Sequence, residues 1–218
     1  MPDLRIQIDA PKVVPFAAVP TLAFPLQIKN LAAEEEIHTV TLRCQAQIEV
    51  ARRSYTSQEQ ERLRDLFGTP DRWGQTLRNL LWTQTSVVVP SFAGPATVAD
   101  LPIACTFDFN VASTKYFDAV RNGEIPLLML FSGTIFYSRP GHPLQVAPIS
   151  WELEARCVLP VATWTEMMSV YYPNAVWVNL HRDIFDRLHQ YKIERGIPTW
   201  ERALEQLLSN SNEALVRQ

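Results

Sequence analysis

Hydrophobic and polar residues alternate with a period of two over most of the first 160 residues. The longest run extends from Val40 to Val50, and shorter ones begin at Leu4, Leu22, Ile103 and Trp151. Side chains of a strand point alternately to its two faces, so this pattern predicts antiparallel strands with one buried and one wet side. Residues 127–137 are apolar on both phases, which predicts a central strand covered on both faces. Pro25 lacks an N–H donor and therefore predicts that its strand lies at an edge or carries a bulge.

A helical insertion interrupts the strands at residues 57–81. Thr56 or Ser57 is suited to cap the first helix, and Gly68 is suited to end it. Thr69-Pro70 predicts a second helix that runs to about Leu81, because proline is favoured at the first helical position.

After Pro160 the apolar period changes to 3.6, which predicts about three helices over residues 161–208. Thr163 and Glu166 have the spacing of a capping box for the first of them. The second has an apolar stripe, and so does the third, which begins near Pro198; the members are Leu180, Ile184, Leu188 and Tyr191 in one, and Trp200, Ala203, Leu204, Leu207 and Leu208 in the other.

The whole pattern predicts a single α+β domain over residues 1–218. About six to eight antiparallel strands would form a sheet or sandwich in residues 1–160, with the two-helix insertion inside them. The C-terminal helices would pack on that sheet, and the polar tail of residues 209–218 would fray.

Composition excludes several functions and adds none. The formal charge is −3, which argues against nucleic acid and anionic membranes as partners, and no Gly-rich phosphate-binding motif occurs. The chain shows no signal peptide, and its densest apolar run, residues 125–131, is far too short to span a bilayer. We therefore expect a soluble cytoplasmic protein. Its cysteines, Cys44, Cys105 and Cys157, are expected to be reduced core residues; the alternative is a disulfide bond between two of the three.

Residue chemistry predicts no catalytic, metal or cofactor site. Ser132 has no matching histidine, and His181 and His189 lie two helical turns apart, too far to chelate one metal ion. Residues 34–36 are three glutamates between two strands, which predicts a solvated loop. An enzyme whose site is assembled from scattered residues is kept as a third hypothesis, after the two protein-binding functions given below.

Aromatic residues suggest a partner-binding loop. Tyr171, Tyr172 and Trp177 flank Pro173-Asn174, and exposed aromatic anchors in loops commonly bind protein partners. Core packing is the default for the other tryptophans.

Several segments resemble an uncharacterised bacterial family known only as a domain of unknown function. They are residues 62–68, 100–108, 123–134 and 180–183, together with Pro198-Thr199-Trp200. Members of that family are encoded beside NiFe-hydrogenase genes, and no catalytic residues are established for it. The resemblance implies a non-catalytic accessory or assembly factor whose protein partner is a hydrogenase subunit or another accessory protein.

A second resemblance, to the export chaperone SecB, rests on the order of residues 132–136, Tyr172-Pro173-Asn174 and residues 195–198. It implies helices on an antiparallel sheet, a homo-oligomer and a holdase that binds unfolded clients. The inserted helices have no SecB counterpart. An accessory factor predicts an exposed apolar patch, whereas a holdase predicts a long groove.

Overall fold

The computed structural model describes residues 2–32, 35–92, 94–106, 111–174 and 180–216. Within them, nine strands form two antiparallel sheets, which confirms the predicted α+β class. The first sheet contains β1 (Leu4–Ile8), β2 (Lys12–Val13), β3 (Thr21–Asn30) and β6 (Ala96–Ala104). The second contains β4 (Glu36–Ile48), β5 (Leu80–Val89), β7 (Glu124–Ser138), β8 (Gln145–Pro148) and β9 (Glu154–Pro160).

The first sheet is built around β3, which pairs with β1 and β2 on one side and with β6 on the other. The prediction that Pro25 places its strand at an edge is therefore wrong. Asp9 donates its N–H to the Pro25 carbonyl at 3.0 Å, so the nitrogen of Pro25 faces the break between β1 and β2. No ladder hydrogen bond is needed there, and the missing donor costs nothing.

The second sheet places β4 between β5 and β7. The alternation read from the sequence is confirmed, because the apolar members of β4 are buried and its polar members are not. Strand β7 is central, as predicted, but it is not covered on both faces. On its outer side Leu130, Thr134 and Phe136 are half-buried and Ser132 is exposed.

Apolar side chains of both sheets form one core, so the sheets make a sandwich. Phe24 of the first sheet meets Trp82 of the second, with ring centroids 6.1 Å apart. A helix that the sequence pattern did not predict, α4 (Val111–Ala119), adds Phe117, which stacks at 4.1 Å on Trp164. Of the tryptophans predicted to be core residues, Trp73, Trp82 and Trp164 are buried, whereas Trp200 is only half-buried.

The helical insertion is shorter and more broken than predicted. It consists of α1 (Ser57–Arg62), α2 (Arg64–Phe67) and α3 (Trp73–Thr76), and strand β5 begins at Leu80 rather than after Leu81. Thr56 caps α1 with a complete capping box to Glu59, and Gly68 ends α2. Helix α3 ends at Thr76, whose hydroxyl donates to the carbonyls of Phe67 and Arg72.

The C-terminal helices are α5 (Val161–Tyr171), α6 (Arg182–Glu194) and α7 (Trp200–Val216). Helix α5 begins directly after Pro160, so the predicted capping box at Thr163 is wrong: that residue lies inside the helix. Helix α7 continues to Val216, past the point where the polar composition predicts fraying.

The chain divides into two compact units, residues 1–175 and residues 176–218. The first contains the sandwich, the insertion, α4 and α5; Trp164 and Met167 of α5 are part of the core, so this helix packs on the sheets. The second contains α6 and α7, and their packing on the sheet stays a prediction. No helix among the described residues has the length and apolarity to cross a membrane.

Candidate protein-binding surface

The structure describes two of the three aromatic residues of the loop that was predicted to bind a partner. Tyr171 is half-buried at the end of α5, and its hydroxyl donates to the Val14 carbonyl at 2.5 Å and accepts from the Ala17 N–H at 2.9 Å. Tyr172 is also half-buried, and Trp177 lies outside the described residues. The hydrogen bonds of Tyr171 show that it fastens α5 to the segment after β2; its role in binding a partner stays a prediction.

Helices α6 and α7 of the second unit are joined by a short turn and form a helical hairpin. Gly196 makes the turn with φ at +60°, a conformation that costs glycine little. Thr199 begins α7, since its side-chain oxygen accepts the N–H of Arg202 at 3.3 Å. Ile197, between these two residues, is buried.

A cluster of rings holds the two helices together. Phe185 and His189 are stacked one turn apart on α6, with centroids 6.0 Å apart and planes 8° apart. Trp200 of α7 contacts both, at 5.4 Å and 5.8 Å. The ammonium of Lys192 lies 5.4 Å from the centre of the Trp200 ring, close enough for a cation–π contact.

Beyond these contacts, each helix continues an apolar stripe at a spacing of four residues. The stripe of α6 is Phe185, His189 and Ile193, and the stripe of α7 is Trp200, Leu204 and Leu208. Residues four apart lie on the same helical face, and the ring contacts place Trp200, the first residue of the α7 stripe, against Phe185 and His189 of the α6 stripe. We refer to these six residues as the hairpin patch.

The hairpin patch is exposed in spite of its apolar composition. The exposed fraction is 41% for Phe185, 64% for Ile193, 47% for Leu204 and 66% for Leu208. Scattered exposed leucines are ordinary on protein surfaces, but here the exposed apolar residues follow one stripe on each of two helices that contact each other through Trp200. Such a surface can accept an apolar face of another molecule.

The sequence pattern identified the α7 stripe but only half of the apolar surface of α6. It predicted the stripe of Leu180, Ile184, Leu188 and Tyr191, of which Leu188 and Tyr191 are half-buried. The distance of His189 from His181 along the helix argued only against a metal site, whereas the structure places the His189 ring in an aromatic stack. The signal that could have shown the second stripe is the spacing of Phe185, His189 and Ile193, with histidine counted as an aromatic residue.

Buried charged groups elsewhere in the described chain have structural partners. Glu59 is held by Arg53, and Glu49 by Arg52 and Arg156. Burial by itself raises the pKa of Glu59. Hydrogen bonds from Thr56 and the Arg121 N–H, together with the Arg53 charge, lower that pKa by more than burial raises it, so the net shift is downward.

The prediction of a solvated loop at residues 34–36 is wrong for Glu35. Its carboxylate is buried and accepts hydrogen bonds from Arg139 at 2.5 and 2.9 Å. Glu34 lies outside the described residues, and Glu36 is the exposed first residue of β4. An acidic run in the sequence reads as a wet surface unless the basic partner, here 104 residues away, is known.

The three cysteines are free thiols. Burial raises the pKa of Cys44, Cys105 and Cys157 to about 12 in each case. A thiol with so high a pKa is protonated at neutral pH and is a poor nucleophile.

A shallow depression of about 560 Å³ lies on the outer face of the second sheet. Arg43, Gln45, Gln84 and Ser132 line it, so it offers amides, a hydroxyl and one cation without a carboxylate or histidine beside them. Among the residues that the structure describes, no three histidine, cysteine or carboxylate side chains gather as metal ligands would.

A family model matches residues 1–215, which is nearly the whole chain. The chain belongs to DUF6084, a family of unknown function. This membership covers the sandwich and the hairpin together, so both units are part of what the family shares.

Similarity to other proteins is slight. No curated protein matches the chain in sequence. Among solved structures, one similar chain is the CARDB domain of a Pyrococcus furiosus protein, crystallised in complex with di-metal ions. It is 12% identical, the match covers 73% of this chain and 87% of that one, and the TM-score is 0.28. A likeness this weak carries no argument about the fold or function of the DUF6084 chain.

Proposed function

We propose that this DUF6084 protein is a non-catalytic accessory or assembly factor that binds another protein through the hairpin patch. The observation that supports the proposal is the exposure of an apolar stripe on each of two helices that meet at Trp200. A unit of two helices cannot bury all its apolar residues by itself, and leaving Leu204 and Leu208 in water forgoes hydrophobic stabilisation. A binding partner recovers that free energy.

The shape and charge of the patch favour a partner helix with an apolar stripe. Two side-by-side helices leave a groove between their ridges, into which a third helix packs. Glu201 and Glu205 follow Trp200 and Leu204 of the patch on α7. A partner helix with basic residues along one side of its stripe fits the acidic residues beside the α7 stripe.

The sequence resemblance suggests who the partner is. Because the family it points to is encoded beside NiFe-hydrogenase genes, we propose a hydrogenase subunit or another accessory protein of that enzyme, in the cytoplasm. The competing function is a SecB-like holdase, which needs a groove long enough for an extended client and an oligomer to present it. A two-helix patch of six residues is better matched to one folded partner.

The test is affinity capture of the tagged full-length protein from its native host, compared with variants. Leu204→Lys/Leu208→Lys places two charges in the patch and retains good helix formers, so α7 is expected to stay helical by circular dichroism. Val98→Lys, an equally exposed apolar site on β6, is the matched control. A partner recovered in stoichiometric amount is then purified and titrated.

We expect one partner to be retained by the protein and by V98K, and its dissociation constant to rise roughly 100-fold in the double-lysine variant. Many unfolded clients, captured equally by all three proteins, would favour the holdase. If no partner is retained, or if its affinity is unchanged by the two lysines, the hairpin patch is not the binding surface and the proposal fails.

A further inference from the structure

The second sheet has an open edge at β8, in the first unit. Strand β8 pairs with β7 on one side, and no other described strand pairs with it. On the opposite edge of the same sheet, β5 lies against β6, where Thr85 donates its hydroxyl hydrogen to the Pro102 carbonyl at 2.8 Å. Strand β8 is therefore an open edge of the second sheet in the part of the chain that the structure describes.

The register shows which main-chain groups point away from β7. Ile149 donates its N–H to the Gly133 carbonyl at 3.0 Å, and Ala147 lies opposite Ile135. In an antiparallel ladder every second residue is hydrogen-bonded to the neighbouring strand. Residues 145, 147 and 149 therefore face β7, whereas the N–H and C=O of Val146 face the open edge.

No described loop or side chain hydrogen-bonds to those groups of Val146. Its side chain is 60% exposed, and that of Leu144, just before the strand, is 59% exposed. An edge of this kind binds another extended chain, because only a strand supplies a donor and an acceptor at the same spacing.

We infer that this edge pairs with the same edge of a second copy of the chain, around a two-fold axis at Val146. A residue whose N–H and C=O both point outward is self-complementary, since each Val146 can donate to the other and accept from it. Leu144 then lies opposite Pro148 of the second copy, whose carbonyl accepts the Leu144 N–H. The pairing joins the second sheets of two molecules into one continuous sheet and places the two Val146 side chains in cross-strand contact.

The proline at position 148 is compatible with this dimer and limits it. Its missing N–H removes one hydrogen bond on each side and leaves the Val146 pair intact. It also stops the ladder from extending further. Because a two-fold pairing uses the same edge of both copies, it closes at two copies and does not continue into a fibre.

The experiment is sedimentation equilibrium of the full-length protein over about a hundredfold range of concentration. Val146→Pro removes the outward N–H and leaves the hydrogen bonds to β7 in place, whereas Val146→Lys sets two like charges opposite each other across the axis. Val88→Lys, on the outer face of β5, is the matched control.

We expect the protein and V88K to dimerise with the same dissociation constant, and both Val146 variants to dimerise at least about tenfold more weakly. A monomer at every concentration, or a dimer that V146P and V146K leave unchanged, overturns the inference. A dimer abolished by L204K/L208K but not by the Val146 variants would assign self-association to the hairpin patch and also overturn it. The inference does not depend on the proposed function, because the two use different surfaces.

Discussion

The pair formed by Arg53 and Glu59 anchors the helical insertion to the turn after α4, and its removal should be costly. Their side chains are only 9% and 6% exposed, and the Arg53 Nη2 lies 2.6 Å from the Glu59 Oε1. The same carboxylate accepts the Arg121 N–H at 3.1 Å, the Thr56 N–H at 2.9 Å and the Thr56 hydroxyl at 3.2 Å. Arg53 also donates to the Asn122 carbonyl at 2.6 Å.

Glu59→Gln removes the charge and turns one of the two acceptor atoms into a donor. Arg53 then keeps its bond to Asn122 but loses its counter-charge in a buried position. In addition, one of the N–H or O–H donors that had bonded to the carboxylate now faces another donor, the amide N–H of the glutamine. Breaking a buried ion pair from one side costs about 3–5 kcal/mol, and since Arg53 retains backbone acceptors we expect about 3 kcal/mol. The free energy of unfolding is measured by urea titration followed through tryptophan fluorescence.

Two further measurements separate the pair from a general effect on α1. Glu61→Gln is the matched control, because Glu61 bonds Arg64 on an exposed surface and should cost under about 0.5 kcal/mol. In a double-mutant cycle, E59Q with Arg53→Met should cost at least about 1.5 kcal/mol less than the two single costs together.

The pH dependence of the pair has a definite sign. The folded pKa of Glu59 is lowered relative to the unfolded chain, so its contribution is complete above the unfolded pKa, 4.5. That contribution is lost as the pH falls through the folded pKa, and the difference between the natural protein and E59Q should therefore shrink in acid. A cost of less than about 1 kcal/mol at neutral pH, or a cycle with no coupling, would refute the reasoning.

Three other expectations concern thiols, a glycine and the tyrosine at the end of α5. The three thiols, those of Cys44, Cys105 and Cys157, should react slowly with Ellman's reagent in the folded protein because their pKa values are raised, and they should react fully once the protein is denatured. Fast reaction of any of them in the native state would contradict this. Gly133→Ala should destabilise the sandwich by several kcal/mol in urea titration, because φ is +144° and a Cβ would lie 1.9 Å from a backbone oxygen of β4, whereas Gly141→Ala, with open space around it, should cost about 1 kcal/mol. Tyr171→Phe should cost roughly 1–2 kcal/mol, since it leaves the Ala17 N–H and the Val14 carbonyl without their hydroxyl partner; an unchanged unfolding free energy would show that the hydroxyl contributes nothing.

Local patterns in the sequence were sufficient to predict the class of fold and many of its elements. The alternation over β4 predicted which side chains are buried, because a strand presents every second residue to the same face. The cap of α1 was narrowed to Thr56 or Ser57, because capping depends on groups three residues apart, and Thr56 is the cap. The predictions that failed were those for which the outcome depends on distant neighbours. Pro25 is tolerated in a central strand only because the break between β1 and β2 lies opposite it.

The candidate surfaces divide in the same way. The stripe of Trp200, Leu204 and Leu208 follows from helical spacing, so the sequence by itself placed these residues on one face of α7. Only the tertiary structure brought Trp200 beside Phe185 and His189, and only the register of β7 with β8 turned the main chain of Val146 toward an open edge. Spacing along one element is a local property of the chain, whereas contact between elements, burial of a charge and the free side of a strand depend on which distant segments pack or pair together.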